Sequence, residues 1–385
     1  MAIEDYKQDD EHSNSCQIND HESKLNYPFS IPEKYQKQLI GDGIYWFRVP
    51  LPFKLDHINL YLIEDGDGWC LIDTGMGTNY SKQYWQDVEH NILDNKPINK
   101  IVITHTHPDH VGLASWLQKK HDCPILISQR EYDMMAYLFS ISGSSPPKYY
   151  LDYLLRAGMS PEFTDKVKEE RDDGFDKAVD GLPRRCQFIR HEDVIELGDH
   201  RFEIIIGSGH SPAHASLYCK ELGLLFSGDQ VIPEIPSMVT LYPKNPKFKD
   251  HRKQNPLGRW LNALNGLKQL PSDTLVLPAH SKPFIGLHKR VDEIIENHCK
   301  LLNKLLAALT QPRTVSQTLM PIYKRKVKDN IYVMFISELL AHIQFLEQLT
   351  LVKREETETV DLFSTIKSVD LCKEINKFLS VNTKS

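Results

Sequence analysis

The first part of the sequence predicts an α/β fold, in which sheets alternate with helices that cover them. Apolar runs of strand length alternate with longer amphipathic stretches between residues 43 and 128. Strand-like runs return between residues 201 and 277, after an interval of helical patterns. This alternation is typical of layered α/β architectures.

Length and composition set the broad class. The chain has 385 residues, of which 41 % are hydrophobic and 25 % charged, with a net charge of −6. These values exclude a disordered chain, and the length predicts two domains or one large domain with an appendage. No run approaches the roughly 20 apolar residues of a membrane-spanning helix, so we expect no membrane partner.

Cysteine usage and the N-terminus predict the compartment. The seven cysteines are scattered and form no Cys-x-x-Cys pair, as expected of free thiols in a reducing environment. Residues 1–28 are polar and lack the basic start and apolar run of a secretory signal. We therefore predict a poorly ordered tail over residues 1–28 and a cytoplasmic location.

Local patterns predict the elements of the first half. Asp65-Gly66-Asp67-Gly68 is a strong hairpin turn between two apolar runs. Strands are predicted at Gly43–Val49, Ile58–Glu64, Trp69–Asp73, Lys100–Thr104 and Pro124–Ser128. Helices are predicted from Asn79 to Leu93 and from Val111 to His121.

Residues 130–190 predict a helical insertion, with helices at Glu131–Phe139, Tyr149–Ala157 and Pro161–Lys177. Its many aromatic and methionine side chains leave two interpretations open: an apolar wall that caps a cleft, or a hairpin with a small core of its own. Strands are predicted again at Arg201–Ile206, Ala215–Cys219, Leu224–Ser227 and Thr274–Leu277. An irregular loop is predicted over Ile232–Pro256.

Residues 288–385 show a different pattern, that of a small winged-helix-like domain. Helices are predicted at His288–Leu309, Thr314–Tyr323 and Tyr332–Leu349, followed by short strands at Leu351–Lys353 and Val360–Phe363. The basic run over residues 324–328 is either a phosphate contact or an ordinary solvated loop. Nucleic acid is thus an open partner but not the favoured one, and the apolar helix faces are compatible with a homodimer.

The most informative motif places four potential metal ligands within six residues, directly after a buried strand: His105-Thr106-His107-Pro108-Asp109-His110. Three more residues, His210, Asp229 and His280, each follow another apolar run. Because side chains at the ends of neighbouring strands converge, we expect four loops to assemble one site. Its seven predicted ligands are His105, His107, Asp109, His110, His210, Asp229 and His280. Seven nitrogen and oxygen ligands suit two divalent metal ions, most readily Zn²⁺, with iron or manganese as alternatives.

This ligand set resembles that of the metallo-β-lactamase superfamily of hydrolases, over about residues 40–287. The resemblance implies a four-layer αβ/βα sandwich, with the metal ions at one edge of the two sheets, in a catalytic domain spanning residues 29–287. By the family pattern one metal ion would be held by His105, His107 and His210. The other would be held by Asp109, His110 and His280.

The same resemblance assigns the supporting residues. Asp229 would bridge the two metal ions, which is more similar to the glyoxalase II branch than to the antibiotic-degrading branch. Asp73 sits where the family has an aspartate beneath the metal loop. His214 is predicted to support a ligand by hydrogen bonding. The C-terminal region is similar to the appendage of a β-lactamase-like endoribonuclease subgroup.

A mechanism follows from such a site. A metal-bound hydroxide would attack a carbonyl or phosphorus centre, and Asp109 would help to hold it in line. The favoured substrate is a small-molecule thioester or ester, such as a hydroxyacylglutathione or another acyl thioester. The alternatives are an endoribonuclease or phosphodiesterase, and a non-catalytic regulatory or nucleic-acid-binding protein.

Overall fold

The computed structural model describes residues 25–52, 54–169, 174–242, 254–324 and 329–382. Most of the predicted tail, the middle of the predicted irregular loop (residues 243–253) and the basic residues 325–328 therefore lie outside the described residues. In the described part, no helix is long and apolar enough to cross a membrane.

Fifteen strands are present in the described residues. They are β1 Gln38–Gly41, β2 Ile44–Pro50, β3 His57–Asp65, β4 Gly68–Ile72, β5 Ile98–Val102, β6 Ile125–Ser128, β7 Cys186–Ile189, β8 Val194–Leu197, β9 His200–Gly207, β10 His214–Cys219, β11 Leu224–Gly228, β12 Leu275–Pro278, β13 Phe284–Ile285, β14 Val352–Glu356 and β15 Asp361–Thr365.

Twelve helices accompany them in the same ranges. They are α1 Asn79–Asn91, α2 Pro108–Val111, α3 Ala114–His121, α4 Gln129–Ile141, α5 Lys148–Arg156, α6 Pro161–Glu169, α7 Phe175–Ala178, α8 Pro256–Leu267, α9 Leu287–Ala308, α10 Val315–Tyr323, α11 Asp329–Gln348 and α12 Leu371–Asn382.

The strands form two large sheets and a hairpin. The first sheet has the order β1-β2-β3-β4-β5-β6-β7, and the second has the order β13-β12-β11-β10-β9-β8. β4 to β7 pair in parallel, which requires the intervening helices as crossovers. In the second sheet β9, β11 and β12 run in the same direction, so their C-terminal ends lie at one edge.

Three buried clusters stack these elements into four layers. Trp46 and Val102 of the first sheet pack against Phe202 and Phe226 of the second, between the two sheets. The outer face of the first sheet packs against α1 and α3, where Trp85 is fully buried. The outer face of the second sheet packs against α8 and α9. The α/β prediction is confirmed as a mixed α/β sandwich.

Differences from the predicted elements have local causes. The predicted helix from Val111 to His121 is two helices, because the Leu113 backbone N–H bonds to Gly75 O and Thr74 Oγ1 instead of continuing the helical ladder. β1, β7, β8, β13, α8 and α12 were not predicted. The strands among them are short or exposed on one side, so they carry little apolar pattern.

The C-terminal region, residues 287–382, shares its core with the second sheet. One buried cluster includes Val276 of β12, Trp260 of α8 and Phe345 of α11. Leu154 of α5 and Met159 belong to the same cluster, whereas Met135 of α4 packs with the first sheet. The interval 130–190 therefore packs on two neighbouring parts of the molecule, and its described apolar residues form no separate core.

Candidate metal centre

The predicted ligands follow the ends of four strands, and Asp73, predicted to lie beneath them, follows a fifth. Asp73 follows β4 and His105 follows β5, in the first sheet. His210 follows β9, Asp229 follows β11 and His280 follows β12, in the second sheet. The shared direction of these last three strands explains why residues far apart in sequence meet at one edge.

The first group of side chains is formed by His105, His107, His210 and Asp229, whose potential ligand atoms all lie within 4.8 Å of one another. The Nε2 atoms of His105 and His210 are 3.2 Å apart. Asp229 Oδ2 lies 3.4 Å from His210 Nε2 and 4.0 Å from His105 Nε2. This group could hold one metal ion.

The second group is formed by Asp109, His110 and His280, within the same mutual distance of 4.8 Å. Asp109 Oδ2 lies 3.3 Å from His280 Nε2 and 3.6 Å from His110 Nε2. Asp229 Oδ1 lies 3.5 Å from His280 Nε2 and 3.6 Å from His110 Nε2. Asp229 therefore turns one carboxylate oxygen to each group.

Hydrogen bonds at Nδ1 fix which nitrogen of each ring faces the centre. His210 Nδ1 donates to Met238 O at 2.8 Å, and His280 Nδ1 donates to His57 O at 2.9 Å. His110 Nδ1 donates to Asp73 Oδ2 at 2.7 Å. In each neutral ring Nε2 is then the bare nitrogen, which is the form that binds a metal ion.

His105 is held in the same way. The Thr104 hydroxyl donates to Asp73 Oδ2 at 2.8 Å, so its oxygen can accept the proton of His105 Nδ1 at 3.1 Å. The bare Nε2 atoms of His105 and His210 consequently point their lone pairs at each other. A cation between them would remove this repulsion.

Two further atoms support a cation site. His110 Nε2 and Asp229 Oδ1 are buried and have no hydrogen-bond partner in the described structure. Buried polar atoms are rarely left without a partner. Imidazole nitrogens together with carboxylate oxygens are the donors that zinc, iron and manganese accept. The residues present therefore fit divalent metal ions.

Neighbouring charges shift the pKa values of the histidines in the site in opposite directions. Burial, together with His210, lowers the pKa of His107 to about 3. Burial acts in the same direction on His110, but Asp109, Asp229 and Asp73 outweigh it and hold its pKa well above the usual value. Burial would raise the pKa of Asp109, yet His110 and His280 lower it to about 2. The carboxylates thus stay ionised and ready to bind a cation.

Asp73 and His214 lie behind the candidate ligands and contact them by hydrogen bonds. Asp73 accepts the backbone N–H of Thr104 at 2.8 Å, in addition to its bond with His110. His214 Nε2 accepts the backbone N–H of Asp229 at 3.1 Å. Gly228 makes this contact feasible, because its φ is +49° and a Cβ there would lie 2.4 Å from His214 Nε2.

The sequence did not reveal the role of Glu131, which is fully buried at the start of α4. Its carboxylate accepts the backbone N–H of Thr106 at 3.0 Å, and both the Ser211 hydroxyl and the Ala213 N–H at 2.6 Å. Glu131 thereby ties the loop of His105 and His107 to the loop of His210. A single acidic residue in a helical pattern gives no sequence signal for this role.

The loop of His280 has its own support, also unrecognised in the sequence. Asn59 Nδ2 and the Tyr61 hydroxyl both donate to Pro278 O, at 2.9 Å and 2.7 Å. Arg48 donates to Ser281 O at 2.6 Å. His57 accepts the Ser281 N–H at 3.1 Å, so this histidine borders the site.

His288 instead bonds to Leu270 O through Nε2 and does not join the cluster.

A sandwich of two sheets with a histidine and aspartate cluster at the strand ends is the architecture of a metal-dependent hydrolase. The family model of the metallo-beta-lactamase superfamily matches residues 53–280, more than half of the chain. The chain belongs to this superfamily, and it is a hydrolase of that class.

Individual proteins that are similar to this chain support the same superfamily assignment. "Probable metallo-hydrolase YqjP" of Bacillus subtilis is 24 % identical over 310 residues, covering 78 % of this chain and 91 % of that protein. The human "Acyl-coenzyme A thioesterase MBLAC2" is 24 % identical over 208 residues, covering 52 % of this chain and 68 % of that protein. A solved beta-lactamase domain protein of Burkholderia ambifaria aligns with a TM-score of 0.79 at 29 % identity, over 89 % of this chain and 98 % of that one.

Proposed function

We propose that this protein is a dinuclear metal-dependent hydrolase of acyl thioesters. The observation that carries the dinuclear proposal is the position of Asp229, whose two carboxylate oxygens face different groups of ligands. His105, His107 and His210 would hold one metal ion. Asp109, His110 and His280 would hold the other, and Asp229 would bridge them as in the glyoxalase II branch.

The metal ions would supply Lewis acidity and would lower the pKa of a coordinated water, with Zn²⁺ as the first candidate and iron or manganese as alternatives. The residues of the chain do the positioning. Asp73, Met238 O and His57 O hold the Nδ1 protons of three ligands. The Asp109 side chain is 20 % exposed, more than any other partner in the ion pairs of the centre, and its ionised carboxylate can accept a hydrogen bond from the nucleophilic water.

Two points support a thioester as substrate. The ligand set is similar to that of glyoxalase II, and a relative with 24 % identity is named an acyl-coenzyme A thioesterase. Hydrolysis of such a substrate adds water across the carbonyl–sulfur bond and releases a carboxylate and a thiol. An acyl-coenzyme A or another acyl thioester is therefore the proposed substrate.

A parallel assay tests this function on purified full-length protein of measured metal content. An acyl-coenzyme A, an S-acylglutathione, a lactone and a single-stranded RNA are compared, each with wild-type protein and with Asp109→Ala. We expect thioester hydrolysis that Asp109→Ala reduces by more than about 100-fold, together with a lower metal content, since loss of even an outer partner of a ligand costs about 10- to 100-fold. Hydrolysis of RNA alone would instead favour the nuclease, and wild-type turnover by Asp109→Ala would contradict the site assignment.

We also propose that the C-terminal region is a winged-helix-like domain, that its apolar faces form a homodimer and that the protein is cytoplasmic. Light scattering of the full chain at several concentrations would measure the oligomeric state. A mass equal to one chain throughout would exclude the homodimer.

A further inference from the structure

A cavity of about 1100 Å³ lies outside the metal centre, between α5, α8, α11 and the β14–β15 hairpin. Its lining combines tyrosine rings and amide side chains with three arginines and four carboxylates. The charged residues are Arg156, Arg259, Arg354, Asp152, Glu347, Glu356 and Asp361. This volume is at the upper end of the range for small-molecule sites. We call it the α8 cavity.

The α8 cavity adjoins the metal centre through one stretch of backbone. Met238 O accepts the Nδ1 proton of His210 at 2.8 Å, and Leu241, three residues further on, lines the cavity. Three residues span at most about 11 Å. Leu241 is held there by the hydrogen bond from its N–H to Ser337 O at 3.0 Å, and its carbonyl accepts the Tyr153 hydroxyl at 2.9 Å. The cavity lining at Leu241 thus lies within about 11 Å of the carbonyl that holds His210.

The charges on one wall of the cavity are already compensated. Arg354 makes two hydrogen bonds to Glu347, at 3.0 Å and 2.7 Å, and lies 3.5 Å from Asp361. Arg156 also pairs with Asp361. Because carboxylates of the protein already neutralise these two arginines, an anionic ligand would gain little by binding to them.

The wall formed by α8 is different. Arg259 and Asn262 are three residues apart, on one face of the helix, and both line the cavity. Within the described chain Arg259 has no carboxylate at salt-bridge distance, and the Asn262 side chain has no hydrogen-bond partner. Partial burial and the positive charge of Arg130 lower the pKa of Arg259, so a second cation acts on the same place. An anion at this position would be favoured.

We propose that the α8 cavity binds the phosphate-bearing thiol carrier of an acyl thioester, with Arg259 contacting a phosphate group and Asn262 an amide or hydroxyl group of the carrier. This inference rests on the proposed function, because it places the thioester bond toward the metal centre. The tyrosine and amide lining suits a carrier with amide and ring groups better than it suits an alkyl chain.

The test compares two thioesters with the same acyl group, one on coenzyme A and one on N-acetylcysteamine, which has no phosphate. Arg259→Ala should raise KM for the coenzyme A thioester about tenfold or more, the loss expected for one charge-assisted hydrogen bond. The kcat values and the KM for the N-acetylcysteamine thioester should change by less than about twofold. Arg259→Lys should lie between wild type and Arg259→Ala. Asn265→Ala, on the same helix but outside the cavity lining, is the matched control.

A binding measurement separates this inference from the proposed function. Free coenzyme A is titrated calorimetrically into the full-length wild-type and Arg259→Ala proteins. Binding that depends on Arg259 without hydrolysis of either thioester would support the cavity and contradict the thioesterase proposal. Hydrolysis of both thioesters with equal KM values in wild type and Arg259→Ala would overturn the cavity proposal alone.

Discussion

Two groups of buried, mutually contacting histidines occur among the described residues, and they differ in the hydrogen-bond partners of their rings. At the metal centre the Nδ1 atoms of His110, His210 and His280 are each bound by an oxygen, and the Nε2 atoms converge with carboxylates. In the C-terminal region His298 Nδ1 and His342 Nε2 are hydrogen-bonded to each other at 2.8 Å.

In the pair formed by His298 and His342, the hydrogen bonds identify the nitrogen that carries the proton in each ring. His342 Nδ1 donates to Glu338 O at 2.7 Å, so its Nε2 is bare and accepts the proton of His298 Nδ1. His298 Nε2 has no hydrogen-bond partner among the described residues, and the His298 ring lies 5.0 Å from the Trp260 ring between centroids. No carboxylate among the described residues completes a ligand group there.

Burial alone therefore does not make a metal site. Burial lowers the pKa of both His298 and His342, the latter to about 4. His110 is equally buried, yet three aspartates hold its pKa well above the usual value. Convergent nitrogens and neighbouring carboxylates distinguish the site that can bind a cation from the pair that packs a core.

The largest expected effect comes from the same substitution in each group. His105→Gln should reduce hydrolytic activity by more than about 100-fold and lower the metal content, because it removes a bare nitrogen from the centre itself and not only an outer partner of a ligand. His298→Gln should leave metal content and activity within about twofold of wild type. Elemental analysis and thioester hydrolysis measure both, and an equal loss of metal in the two variants would contradict the distinction.

A smaller effect is expected on the free energy of unfolding as the pH falls, because the buried His298–His342 pair is neutral in the folded protein. The folded-state pKa of His342, about 4, lies below its ordinary value of 6.5, so the unfolded chain binds the additional proton. The contribution of His342 to stability is complete above about pH 6.5 and is lost as the pH falls toward 4. The loss amounts to about 3 kcal/mol, at about 1.4 kcal/mol for each pH unit.

The double variant His298→Phe/His342→Leu removes both groups and replaces them with apolar side chains. Its stability should fall less steeply than that of wild type between pH 6.5 and 4, as measured by urea unfolding at several pH values. The groups of the metal centre titrate alike in both proteins and cancel in the difference. Parallel pH profiles for the two proteins would rule out this role of the pair.

The smallest of the three effects concerns the carboxylate behind the metal loops. Glu131→Gln should weaken metal affinity about 10- to 100-fold, because the amide replaces one of the two carboxylate oxygens with an NH₂ group. Either the Thr106 N–H or the Ser211 and Ala213 donors then lose their acceptor. Glu338→Gln is the matched control, since Glu338 accepts from the Tyr323 hydroxyl far from the centre in sequence. Metal affinities measured by competition with a chelator should separate the two variants, and equal values would show that Glu131 does not position the loops.

Many residues of the candidate site were predictable because few residue types can bind a metal ion, and these types can be recognised in the sequence. The dense motif from His105 to His110 and the isolated His210, Asp229 and His280 each follow an apolar run, and the structure brings all of their side chains together. Glu131, Asn59 and Arg48 could not be found in this way. Their contacts join segments tens to hundreds of residues apart, and none of these residue types is unusual in its local sequence.

The sequence by itself determined the alternation of strands and helices, the ligand types and their places after strands, because each depends on residues close together in the chain. The tertiary structure decided which Nε2 atoms converge, which carboxylate stands between the two groups, and that the C-terminal helices share a core with the second sheet. It also placed Arg259, which has no carboxylate at salt-bridge distance among the described residues, in the lining of a cavity formed by α5, α8 and α11. These features depend on how the two sheets and the helices outside them pack, and packing brings together residues that no local pattern connects.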